Sequence, residues 1–478
     1  MSPSAPARVL ALGLAEASWD CIHDPSFAAY LPLLTHMESE GARGITLAPQ
    51  PLVSEALWAT VVTGRSAGAH GVFGSARRDG HGSPRAVSGT ELAVPPIWRL
   101  VEDAGLPVGT FNVSFTDPPQ TATGFMVSRD ARPKIHPRLV HPPALYPRLR
   151  GRFGQWTMLT MAQTKPEWTS LVPHELDTRT DVLIDLLRTR PWSFALVHML
   201  EVAGAQHRFW NDGTGTLRAV YAAADRAMAK LVEAAGQDTI VFVFSDCGAG
   251  PIRHGLDLNA WLEQQGYLHR RRGPVQRLGL SLARVHKRAR RLLPRAFDLS
   301  GFKMRVRAAI SASNVEWSRT RAFSPADASE IVFNVPARER GELADELRSR
   351  LLALRDPEGR RVVEDVIPRE AWGAPGDSAP DLTIVWEDDA YVPTETFDER
   401  GRVFVDWCPQ FVDWTFTGSD RREGMLLVSG PGIERTDVGR VRTVDLVPTW
   451  LELLGVDIPK ELEGSSFAAK LSGALAHR

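Results

Sequence analysis

Short apolar runs alternate with helical patterns along most of this chain, and no other feature restricts its fold as tightly. Val9–Leu14 (VLALGL), Val108–Val113, Ser193–Leu200, Thr239–Phe244 (TIVFVF), Leu382–Trp386 (LTIVW) and Met425–Val428 read as strands. Several are apolar at consecutive positions rather than alternating, as strands covered on both faces are. Thr214–Ala235, Leu258–Gln265, Gly341–Leu354 and Val444–Leu454 carry helical patterns between them. The alternation predicts an α/β fold, with a mostly parallel central sheet and helices on both faces. Chemistry in such sheets gathers in the loops beyond the carboxyl ends of the strands.

Two segments break the rhythm. Residues 114–173 are rich in Pro, His, Trp and Arg with little periodicity, and read as a long excursion covering the active-site end of the sheet. Residues 269–314 form a basic insertion in which Leu278, Leu282, Val285, Leu292 and Leu293 can share a helical face among arginines. Its plainer reading is a solvated lid; the sharper one, centred on 270–307, is an anion-binding cap or a dock for an acidic protein partner or a membrane surface. Neither segment is a domain of its own, and residues 1–478 are read as one α/β domain with a cap formed by insertions.

Composition excludes several classes. A net charge of -1 gives no general affinity for nucleic acid. Cys21, Cys247 and Cys408 are odd in number and widely spaced, which fits a reducing compartment better than a disulfide framework. The apolar run Val9–Leu14 is too short for a signal peptide or a membrane span, and no later run reaches that length, so the expected location is cytoplasmic.

Candidate chemistry follows the strand ends. Ser54 opens a helical pattern in PLVSEALWATVVTG. It can serve as an N-cap, or as a nucleophile in the positive potential of a helix N-terminus. Asn112 ends a strand and is either a turn residue or a donor to a developing oxyanion. Asp246 and Cys247 follow the strand Thr239–Phe244. The aspartate is a candidate catalytic or metal-binding group, and the thiol is either a buried structural side chain or a thiolate. Glu201 and His207 lie in EVAGAQHRFW after another strand, and Asp420 in TGSDRREG reads most simply as a turn aspartate.

The order of these words is more specific than any one of them. PLVSEALWATVVTGRSAGAHGVFG, Asn112 with Pro118–Pro119 and GFMVS, HRFW at His207–Trp210, VFSDCGAGP with LNAWLEQQGYL, and TVDLVPTWLELLGVDIP follow one another along nearly the whole chain. Together they resemble the type I phosphodiesterase/nucleotide pyrophosphatase branch of the alkaline phosphatase superfamily. The resemblance implies an alkaline-phosphatase-like fold, Ser54 as nucleophile, Asn112 against phosphate, and two divalent cations held by Asp and His.

Against that pattern the ligand set is thinned. Ala15–Glu16 stands where Asp-Gly is expected, Ala203 where an Asp precedes the histidine, Cys247 where a His follows Asp246, and Asp420 where the final His belongs. Glu16, His207, Asp246 and Asp420 remain as candidate ligands, enough for at most one divalent ion, zinc or manganese, or for none. The expected substrate is an anionic small molecule of phosphate or sulfate type. Three functions stay open: an enzyme with altered, metal-poor chemistry on Ser54, with His207, Asp246, Glu201 and Cys247 as acid–base or nucleophilic groups; a conventional phosphodiesterase on substitute ligands; or a pseudoenzyme that binds a phosphorylated ligand or partner.

Overall fold

The computed structural model describes residues 8–77, 85–120, 123–129, 135–154, 165–211, 213, 215–271, 315–325, 329–373, 379–394, 401–405, 408–409 and 415–472. They group into two compact units, one drawn from 1–75, 87–251 and 417–478 and the other from 76–86 and 252–416.

A nine-stranded sheet organises the first unit. Its strands in chain order are β1 (Arg8–Leu14), β2 (Ala42–Leu47), β3 (Val108–Phe111), β4 (Gly124–Val127), β5 (Val140–His141), β6 (Phe194–Met199) and β7 (Thr239–Phe244). After them comes a ribbon made of β8 (Gly248–Pro251) and β9 (Gly418–Arg421), then β10 (Glu423–Ser429) and β11 (Thr436–Arg442). The order across the sheet is β11-β2-β10-β7-β1-β6-β3-β4-β5. From β7 to β4 every pair is parallel, and β1, β6 and β7 are buried almost throughout, as their unbroken apolar sequences require.

Two readings of the strands need correction, and one strand has a direction that the sequence left open. β10 is antiparallel to both neighbours, β2 and β7. Leu382–Trp386 is not in this sheet; it sits in an antiparallel four-stranded sheet of the second unit, beside Val363–Pro368 and Glu330–Phe333. Within residues 114–173, β4 is a buried strand of the main sheet and Leu145–Phe153 is a helix. Four apolar residues flanked by polar, Pro-rich chain are too few to show a period. The basic residues 272–314 lie outside the described residues.

Helix α1 (Ser54–Thr63) contains Thr60-Val61-Val62-Thr63, a β-branched run that disfavours a helix. Burial overrides the preference: every residue from Ala56 to Thr63 is buried, and the Thr60 and Thr63 hydroxyls donate back to Ala56 O (3.1 Å) and Ala59 O (2.6 Å). Gly64, at φ 65°, ends the helix by returning its N–H to Thr60 O. Trp58 packs against β1 at Gly13, where a Cβ would come within 2.5 Å of its ring. Its other face stacks on the buried His198 imidazole at 3.5 Å between centroids. The long helices α2 (Lys165–Thr189) and α4 (Thr216–Ala235) pack together, with the short α3 (Glu201–Phe209) against α4. Among the described residues no helix is long and apolar enough to cross a membrane.

One buried histidine gives the fold a measurable pH dependence. His70 Nδ1 accepts the Val72 N–H at 3.1 Å, so its Nε2–H faces Thr60 Oγ1 at 3.2 Å. Burial pulls its pKa down to about 3 from 6.5, against a smaller opposing pull from the Ala56 backbone. The unfolded chain therefore takes up a proton near pH 6.5 that the folded chain refuses until about 3. This contribution is fully present above pH 6.5 and is lost as pH falls, at up to about 1.4 kcal/mol per pH unit. Chemical denaturation from pH 7 to 4 should show a shallower loss for His70→Gln than for the native chain. Equal slopes would mean that His70 is protonated in the fold.

Candidate active site

Four chain segments meet at the carboxyl end of the sheet. β1 runs into Ala15–Glu16, β7 into Asp246–Cys247, β6 into α3 with His207 in its last turn, and the β8–β9 ribbon sets Asp420 opposite Ala249. His207 is the hub. Its Nδ1 lies 3.0 Å from Gly418 O, and its Nε2 faces Glu16 Oε2 at 3.0 Å, Glu16 Oε1 at 3.2 Å and Asp420 Oδ1 at 3.5 Å. A backbone carbonyl on Nδ1–H is what fixes a histidine with Nε2 turned toward a cation or a proton.

Glu16 reaches inward because its backbone is left-handed, at φ 59°. That conformation is uncommon for a residue with a side chain and needs support from its surroundings. Its N–H donates to Asp246 Oδ1 at 3.1 Å, and Gln206 Nε2 donates to its carbonyl at 2.7 Å. Gln206 is held in turn by the Tyr221 hydroxyl, which donates to Gln206 Oε1 at 2.8 Å and accepts the Ser18 N–H at 3.1 Å. Gln206 and Tyr221 escape a reading by motif because they shape the backbone of a residue that sequence alone does not place inward.

The charges are unbalanced. Glu16 and Asp420 face one imidazole, and Asp246 accepts from the Glu16 backbone behind them. Burial works against protonation of His207, but Glu16, Asp420 and Gly418 O outweigh it and lift the pKa to about 9. Burial and then the Glu16 charge push Asp246 up to about 7 and hold Asp420 well above the usual carboxylate range. Among the described residues, neither Glu16 Oε2 nor Asp420 Oδ1 receives an aligned hydrogen bond. Glu16, His207 and Asp420 bring their ligand atoms within 4.8 Å of one another, a set that fits one divalent cation. Ala15 and Ala203, which stand where the resemblance expects carboxylates, are buried and offer no lone pair.

The other candidates fall in different places. Ser54 is the first residue of α1, not its cap; Val53 takes that position and has no side-chain cap. The Ser54 hydroxyl is half-buried and, among the described residues, makes no hydrogen bond, which leaves it available. Cys247 packs with Ala48, Leu57 and Leu52, an apolar setting that suits a structural thiol. Glu201 is engaged by Arg179 of α2 in a buried ion pair, away from the His207 hub. Asn112, at φ 59°, gives its backbone N–H to Val127 O and one Nδ2 hydrogen to His198 O, at 2.8 and 3.1 Å.

The family model for type I phosphodiesterase / nucleotide pyrophosphatase matches residues 10–402. The chain belongs to this family. Members of the type I phosphodiesterase family are typically dependent on divalent metals and act on phosphoesters. An inactive murine ectonucleotide pyrophosphatase/phosphodiesterase 5 in complex with AMP is similar in fold, at TM-score 0.57 and 12% identity over 98% of this chain and 99% of that one. Phosphonoacetate hydrolase from Sinorhizobium meliloti, in complex with phosphonoformate, is similar at TM-score 0.56 and 14% identity over 95% of both chains. The human ectonucleotide pyrophosphatase/phosphodiesterase 5 gives 0.54 and 12% over 98% and 99%. No curated protein sequence matches the chain. These likenesses establish an alkaline-phosphatase-like α/β fold.

Proposed function

We propose that this member of the family acts on an anionic phosphate-type ester with Ser54 as nucleophile and with at most one divalent cation, zinc or manganese. The observation that carries the reading is the convergence of Glu16, His207 and Asp420 on one point, with Asp246 beside them. A bound cation would be held by Glu16, His207 and Asp420 and would supply positive charge to a transferring phosphoryl group. Ser54 Oγ forms the new bond to phosphorus as the bond to the leaving oxygen breaks. Asp246, held near neutrality by burial and by Glu16, is suited to accept the serine proton and return one to the leaving group. Hydrolysis of the seryl ester then restores Ser54.

A second reading rests on the direct pairing of Glu16 with His207, which partly neutralises the pocket without any cation. In that case the pocket binds an anion and does not cleave it.

Elemental analysis with a turnover assay on bis(4-nitrophenyl) phosphate separates the two. We expect one divalent ion per chain at most, a lower content in Glu16→Gln, and slow turnover. Two ions at full occupancy would overturn the one-cation pocket. Metal-free protein with no turnover but with phosphate binding would favour the second reading.

A further inference from the structure

The turn that carries Glu16 inward is fixed at every backbone N–H. Ala15 N–H donates to Met199 O at 3.0 Å, Glu16 N–H to Asp246 Oδ1 at 3.1 Å, Ala17 N–H to Leu14 O at 3.2 Å and Ser18 N–H to the Tyr221 hydroxyl at 3.1 Å. Two carbonyls are held as well. Gln206 Nε2 donates to Glu16 O at 2.7 Å, and Ser245 Oγ donates to Ala17 O at 2.9 Å. Most of these partners stand at the ends of sheet strands. Tyr221 and Gln206 do not; they come from α4 and α3 and are fully buried.

Tyr221 grips the turn twice. Its oxygen accepts the Ser18 N–H directly, and its proton goes to Gln206 Oε1 at 2.8 Å. A hydroxyl has one proton to give, so the N–H on one side turns the O–H toward the amide on the other. With Oε1 taken, Gln206 presents Nε2 to Glu16 O, which closes a ring of hydrogen bonds around residues 16–18. The other donor to Oε1 is the Cys21 thiol at 3.9 Å, a weak one. Without the tyrosine proton the amide can rotate and set its oxygen against Glu16 O. A residue with a side chain stays at φ 59° only while its surroundings hold it there. Once released, Glu16 turns its carboxylate away from His207.

We propose that the Tyr221 hydroxyl is a positioning group that sets the cation affinity of this pocket, acting through Gln206 and Ser18 on the backbone of Glu16. The inference rests on the one-cation reading and adds the group that keeps its glutamate ligand in place. Among the described residues the hydroxyl makes no hydrogen bond to the side chain of Glu16, His207 or Asp420, so its effect passes through the turn.

The test is calorimetric titration of zinc into metal-free protein. Tyr221→Phe, which removes one oxygen, should raise the Kd for zinc at least about tenfold, the lower end of what losing a partner behind a metal ligand costs. In Glu16→Gln protein the same change should alter the Kd by less than about twofold, because its route runs through the Glu16 carboxylate. An equal loss in both backgrounds would mean a general loosening of the fold and would overturn the assignment. An unchanged Kd in folded Tyr221→Phe would also overturn it, and would leave the one-cation pocket standing. If Tyr221→Phe fails to fold, Gln206→Met breaks the same ring and is held to the same outcomes. Native protein that takes up no zinc would instead sink the one-cation reading, and the role of Tyr221 with it.

Discussion

Ser54→Ala should lower turnover of bis(4-nitrophenyl) phosphate by about three orders of magnitude or more while leaving KM within a few-fold. The hydroxyl opens a ten-residue helix whose free N–H groups and dipole favour negative charge at that end. It has no structural duty to lose, since Val53 is the cap and the Ser54 hydroxyl has no partner among the described residues. The variant should therefore fold as the native chain does, and the loss should fall on kcat. Steady-state kinetics with a matched melting curve measure it. An undiminished kcat would hand the nucleophilic role to another group.

The second large effect concerns the missing ligands. Restoring Ala15→Asp, Ala203→Asp, Cys247→His and Asp420→His would not by itself rebuild a two-cation cage, because the Glu16 carboxylate already fills the space against His207. Glu16→Gly must accompany them, and the backbone at φ 59° is one that glycine adopts without strain. The five-fold variant should bind two divalent ions per chain where the native binds at most one. Its diesterase rate should rise by at least about tenfold, each added ligand supplying charge or lone pairs where a cation sits. The apolar surroundings of Cys247 work against a full recovery, since a histidine there must displace Leu52 or Leu57. A folded variant that still takes up a single ion would show that the backbone has moved away from the family's cage.

Much of this was legible in the chain. β1, β6 and β7 announce themselves by unbroken burial, and the residues that follow them include Glu16 and Asp246. His207 could be named from its motif. What the sequence does not reveal is pairing across distance. Glu201 and His207 sit on one short helix, yet one turns to Arg179 and the other to Glu16. Nothing local tells them apart, because the deciding partners lie on α2 and after β1.

The sheet order has a consequence for synthesis. β2, at Ala42–Leu47, has only β10 and β11 as neighbours, and they begin at Glu423 and Thr436. As the chain leaves the ribosome, β2 must wait for nearly four hundred later residues before its backbone finds a partner. Asp420 and Gly418, which complete the surroundings of His207, arrive at the same late moment. The nascent protein therefore carries an unpaired edge, a surface prone to mispairing, until those two strands have emerged.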